Sequence, residues 1–119
     1  MRNLEHIRAR YLADPLPRRL GALAADLARV VSSSLHAQAG EAVALMLEES
    51  QYFIEWTAAE ADPDVAGELV DIQIGLALWR GLWPAAQHDP NLRALLAWQA
   101  RKWSDQVLDY SGLLDQPGA

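Results

Sequence analysis

Three Asp-Pro pairs, Asp14-Pro15, Asp62-Pro63 and Asp89-Pro90, constrain the fold of this chain more than any other feature. Proline lacks the N–H that a helix interior needs, and it pushes the residue before it out of the α region. Aspartate, however, caps a helix start, proline fits the first helical position, and an acid such as Asp64 suits the first turn. The pairs at 62 and 89 therefore read as helix starts, and the pair at 14 as the end of a helix. Between these breaks apolar residues recur at helical spacing, and no stretch alternates with period two. The reading is all-α.

Five helices are expected. A short one over 3–13 carries Leu4, Ile7, Tyr11 and Leu12 and forms an N-terminal arm, 1–14. The second, over 17–31, has a stripe of Leu20, Leu23, Leu27 and Val30, with Arg18, Arg19, Asp26 and Arg29 placed mostly off it. Serines 32 to 34 favour caps and turns over helix interiors, so the connection is placed there. The third helix, over 38–61, is apolar on more than one side, which suits contact with more than one neighbour. The fourth, over 63–83, ends at Pro84. The fifth, over 90–110, places Leu92, Leu95, Leu96, Trp103, Val107 and Tyr110 on one face and stops near Gly112. Four substantial helices with short connections predict an up-down four-helix bundle over 17–112, a single domain with a frayed tail over 113–119. Among the tryptophans, Trp98 falls off the main stripe and suggests a second buried face.

The length of 119 residues is enough to bury a core without disulfides, and there is no cysteine to make one. No uncharged run approaches the roughly 20 residues that span a bilayer, and the charged start is not expected to be a signal peptide. A cytoplasmic location is expected. The net charge of −6 is unevenly spread. Residues 31–71 hold nine acids and no Lys or Arg. That argues against a nucleic-acid groove and is compatible with a cation site.

The acids concentrate around the break at 62. On the third helix Glu48, Glu49, Tyr52 and Trp56 share a face, with Glu55 at its edge. On the fourth, Glu68 and Asp71 are neighbours and share an arc with Ile72, Gly75 and Trp79. A buried carboxylate is costly unless paired or coordinated, and a hard divalent cation would resolve that cost. His6, His36 and His88 have no metal-ligand spacing, and the glycines form no phosphate loop.

LEES at 47–50 followed by GELVD at 67–71 resembles the signature of the MazG-like all-α nucleoside triphosphate pyrophosphatases. The resemblance covers roughly residues 40–80. It implies Mg²⁺, or Mn²⁺, held by Glu48, Glu49, Glu68 and Asp71, and hydrolysis of a nucleoside triphosphate to monophosphate and pyrophosphate. It also implies a homo-oligomer, a dimer first. Tyr52 stands where that family has its third glutamate; Glu55 reaches in from the next turn, or binding is weakened, or the site is vestigial. Tyr52 and Trp56 are candidates to stack on a base. Arg93, Arg101 and Lys102, with Arg18 or Arg19, are candidates to hold phosphates. The alternative expectation is a non-catalytic dimeric helical bundle acting as a scaffold or interaction protein.

Overall fold

The computed structural model describes residues 3–113, and these form an all-α bundle. Asn3 caps the first helix, α1 (Leu4–Leu12), by accepting the His6 amide at 3.0 Å. The bundle is α2 (Leu16–Ser34), α3 (Gly40–Ala58), α4 (Pro63–Ala86) and α5 (Pro90–Ser111), with a 3₁₀ turn, Ala37–Ala39, before α3. Asp89 caps α5 as expected, accepting the amides of Asn91 and Leu92. Gly112 ends it at φ 71°, the left-handed region that glycine enters without steric cost. The tail expected over 113–119 lies, from 114 on, outside the described residues.

Two helices outrun their expected ends. α2 continues through the serines because Ser32 and Ser34 turn their hydroxyls back onto the carbonyls of Arg29 and Val31, at 3.2 and 3.1 Å. α4 continues past Pro84 to Ala86. Proline deletes the bond to the Arg80 carbonyl, but the next turn is pinned from outside. The Trp83 indole N–H donates to the Gly40 carbonyl at 2.7 Å, and the Gln87 amide reaches the Trp83 carbonyl at 2.9 Å.

Consecutive helices run antiparallel. Cross-helix pairs fix the register: Asp26 with Ser50, Gln51 with Gln73, and Gly75 with Trp103. α2 is the central element, packed against both α3 and α5, while α4 packs mainly on α3 and meets α5 only lightly. Leu23, Leu27 and Val30, Val43, Leu47 and Ile54, Leu69 and Leu76, and Leu96 and Val107 are fully buried. Each contributes about 1.5–3 kcal/mol by leaving water. At Gly75 a Cβ would lie 2.5 Å from the Trp103 ring, so glycine is what lets α4 approach α5 at that level.

The arm lies on the bundle of its own chain. Tyr11 is buried, its ring stacked on Phe53 at 4.1 Å between centroids. Its hydroxyl donates to the Arg19 carbonyl at 3.0 Å, so the 2.7 Å bond with Thr57 has the threonine hydroxyl as donor. Burial pushes the Tyr11 phenol up to about 12. Arg19 grips Glu60 with both terminal nitrogens, at 2.6 and 3.1 Å, and its Nε donates to the Asp14 carbonyl. These bonds tie the α1–α2 corner to the end of α3.

Candidate functional site

The acidic residues expected around a metal are spread over several faces. Glu48 is half-buried on the side of α3 that meets α4, with its carboxylate 3.4 Å from Arg80 Nη2. Arg80 also donates to the Gln51 side chain at 2.7 Å. The acidic third thus takes its countercharges from elsewhere in the chain: Arg80 for Glu48, and Arg19 for Glu60. Glu49 projects to the other side of α3. There it lines a cleft of ≈ 560 Å³ with Ile7, Arg10, Tyr11, Asp14 and Phe53.

On α4, Glu68 accepts a hydrogen bond from the Tyr110 hydroxyl of α5, and Asp71 is exposed. At 100° per residue Glu68 lies about 120° around α4 from Arg80, and Asp71 about 180°. Arg80 faces α3, so Glu68 and Asp71 do not. Glu55 is exposed. Among the described residues no group of three or more histidines, aspartates or glutamates is arranged to hold a metal ion. In this arrangement the five acids do not fit a Mg²⁺ site within one chain.

The candidate substrate groups are also divided. Tyr52 and Trp56 are both half-buried and stack at 5.5 Å on the outer side of α3. Arg93, Arg101 and Lys102 sit on α5, which packs chiefly against α2. Arg93 donates to the Gln87 carbonyl at 2.9 Å, and Lys102 lies 4.3 Å over the Trp98 ring. Arg18 is exposed, whereas Arg19 is buried in its ion pair.

Asp26, like Arg19, is expected mostly off the apolar stripe of α2 but is buried. Only 2 % of it is exposed. It accepts from Ser50 and pairs with Arg29. Burial, and then the nearby charge of Glu49, push its carboxyl up to about 6 against the opposing pull of Arg29 and Ser50. The signal is present in the sequence: Asp26 is three residues after Leu23 and four before Val30, so it neighbours both at the edge of the stripe.

The largest departure from an ordinary bundle surface is on α4. Val70, Ile74, Leu78 and Leu82 succeed one another at four-residue steps on the side opposite the core. Leu78 is 64 % exposed, Leu82 58 % and Ile74 56 %. Gly67 and Gly81 lie among them, with nothing near the place of a Cβ. On α5, Leu92, Leu95 and Trp98 are exposed too, so they leave the core face expected of the first two and the buried face expected of the third. Gly75 meets Trp103, which sets Leu95 and Trp98 at the heights of residues 83 and 80, level with the Leu78–Leu82 end of the α4 row. No helix among the described residues is long and apolar enough to cross a membrane.

The chain matches no family model, no curated protein and no solved structure.

Proposed function

We propose that this protein is an interaction module, a helical scaffold whose working surface is the outer face of α4 and α5. The observation that carries the reading is the four-step apolar row Val70, Ile74, Leu78 and Leu82, exposed on the helix flank opposite the core. A monomer rarely keeps a contiguous apolar patch beyond a few hundred Å² without a use for it. A helix with an apolar row on its outer flank as well as on its core flank is suited to more than one neighbour. On this reading the acids of α3 and α4 are solvated or ion-paired and carry no chemistry. The expected homodimer is the first form such a scaffold takes. Leu78→Lys tests the reading. It leaves the core untouched, so helicity and melting should hold while binding of a hydrophobic dye or association falls. If neither changes, the face has no role.

A second reading rests on the Tyr52–Trp56 stack beside Glu48 and Glu55 on the outer side of α3. It is a Mg²⁺-dependent, MazG-like nucleoside triphosphate pyrophosphohydrolase, or a relative that binds a nucleotide without cleaving it. It requires α4 to turn about its own axis so that Glu68 and Asp71 reach Glu48. A nucleotide panel with Mg²⁺ or Mn²⁺ tests it. Pyrophosphate release lost in Glu68→Ala supports the enzyme. Nucleotide binding by calorimetry without release supports the relative. Neither signal removes both.

A further inference from the structure

The outer face of α4 and α5 changes character along its length. At 100° per residue, the arc of about 120° on α4 from Val70 to Leu82 takes in Ile74, Leu78 and Asp71, with Asp64 at its edge. It holds no base, because Arg80, the base of α4, turns to Glu48 of α3. On α5, Asp105 and Asp109 share an arc of about 80° with Leu95, Trp98 and Lys102, all exposed. The Gly75–Trp103 contact and the Glu68–Tyr110 bond set the heights. Asp109 and Asp105 stand level with Leu69 and Gln73, on either side of Asp71, while Leu95 and Trp98 stand at the Leu78–Leu82 end. One half of the face is therefore acidic and the other apolar. Lys102 stands between them with its ammonium drawn over the Trp98 ring. Arg101 lies about 160° around α5 from Trp103, off this face. Among the described residues Asp64, Asp71, Asp105 and Asp109 have no ion-pair partner.

Resting on the interaction reading, we infer that the occupant of this face is an amphipathic helix of a partner protein, apolar along one side and rich in lysine or arginine at one end. A row at four-residue steps is a ridge that interdigitates with the same ridge of another helix, the commonest class of helix packing. Gly67 and Gly81 leave open space beside the row for close approach. From Asp64 to Leu82 the face is about 27 Å long, the length of about 18 helical residues. Charge chooses among the occupants. Acids without a countercharge attract a cationic segment, and they repel the phosphates of nucleic acids and of anionic lipids. A two-fold interface brings one patch against itself, and this patch has only Lys102 to offer its own acids. A homodimer of the scaffold therefore leaves this face to a different chain.

Fluorescence anisotropy of labelled synthetic peptides, titrated with the full chain, tests the occupant. Three helical peptides of about 18 residues share a leucine stripe and differ only in the polar positions of one end, which are all lysine, all glutamine or all glutamate. The lysine peptide is expected to bind about tenfold more tightly than the glutamine peptide, as a few exposed ion pairs give, and the glutamate peptide is expected to bind least. That preference is expected to disappear in about 1 M salt, where charges are screened within about 3 Å, and in the double variant Asp64→Asn, Asp71→Asn. Leu78→Lys weakens all three peptides, and circular dichroism verifies that each variant is folded. Equal binding of the lysine and glutamine peptides overturns the basic partner and keeps the interaction reading. Binding of no peptide at about 100 µM protein also overturns the partner helix. Dye binding then separates the two claims, since dye bound by the wild type and lost in Leu78→Lys keeps the interaction reading, and no dye binding removes it as well. A wild type that sediments as two chains, with Leu78→Lys as one, assigns the face to a second copy and overturns the partner helix.

Discussion

Ser50 of α3 donates a hydrogen bond to Asp26 of α2 at 3.3 Å, and this carboxylate is the most deeply buried acid described. Burial favours its protonated form, and Glu49 adds to that. The group binds its proton more tightly folded, at about 6, than at its ordinary value of 3.8. Its contribution to stability is therefore fullest below pH 4 and is lost as pH rises through 6. Asp26→Asn keeps the shape and removes the titration. At pH 7.5 the variant should be the more stable by on the order of 1–3 kcal/mol, and the difference should vanish near pH 4. Urea melts of both proteins at the two pH values check this.

Tyr11 should be the residue through which the arm is fastened. Tyr11→Phe keeps the stack on Phe53 and removes the hydroxyl shared by Thr57 and the Arg19 carbonyl. Both partners are then left in a buried place with one bond fewer. The expected loss is about 1–3 kcal/mol, read as a lower melting temperature.

Gly75→Ala should be costly although alanine is the better helix former. The new methyl meets the Trp103 ring, a stiff group that is itself buried. Overpacking of this kind costs about 1–3 kcal/mol, against a helix-propensity gain of about 1. A shifted tryptophan emission accompanied by a lower melting temperature checks it.

Glu68→Ala and Asp71→Ala should change stability by no more than about 0.5 kcal/mol, as exposed substitutions do. On the interaction reading the melting temperature of the wild type also does not rise with Mg²⁺ or Mn²⁺. A rise that depends on Glu68 and Asp71 would instead favour the metal-bound reading.

The helix plan was readable because punctuation and periodicity are local properties. Asp89 and Gly112 do at their helix ends what their side-chain chemistry allows anywhere. Helix lengths were less readable where a distant partner decides them, as Gly40 does for the turn after Pro84. Helix phase was least readable on α4. A helix with Leu69, Ile72 and Leu76 on one side and Val70, Ile74, Leu78 and Leu82 on the other has no single apolar direction. The arc that holds Glu68 and Asp71 with Ile72 and Trp79 is real, with Glu68 in its middle and Asp71 at one edge, but it turns toward α5 and not toward α3. About 120° around α4 separate Glu68, which meets Tyr110, from Arg80, which faces α3. Arg19 and Asp26 show the converse, since a charged side chain at the edge of a stripe is buried when a partner waits for it.

The loose contact between α4 and α5 has a consequence for the way this molecule breathes. α2 is gripped from two sides and α1 is bolted at its corner, but α4 is fastened mainly along one flank and at Trp83. Its amide hydrogens should exchange with solvent ahead of those of α2. If a partner helix covers the outer flank, that exchange slows as the partner is added, while α2 keeps its own pace. The rigidity of α4 would then be a property of the pair and not of the chain alone.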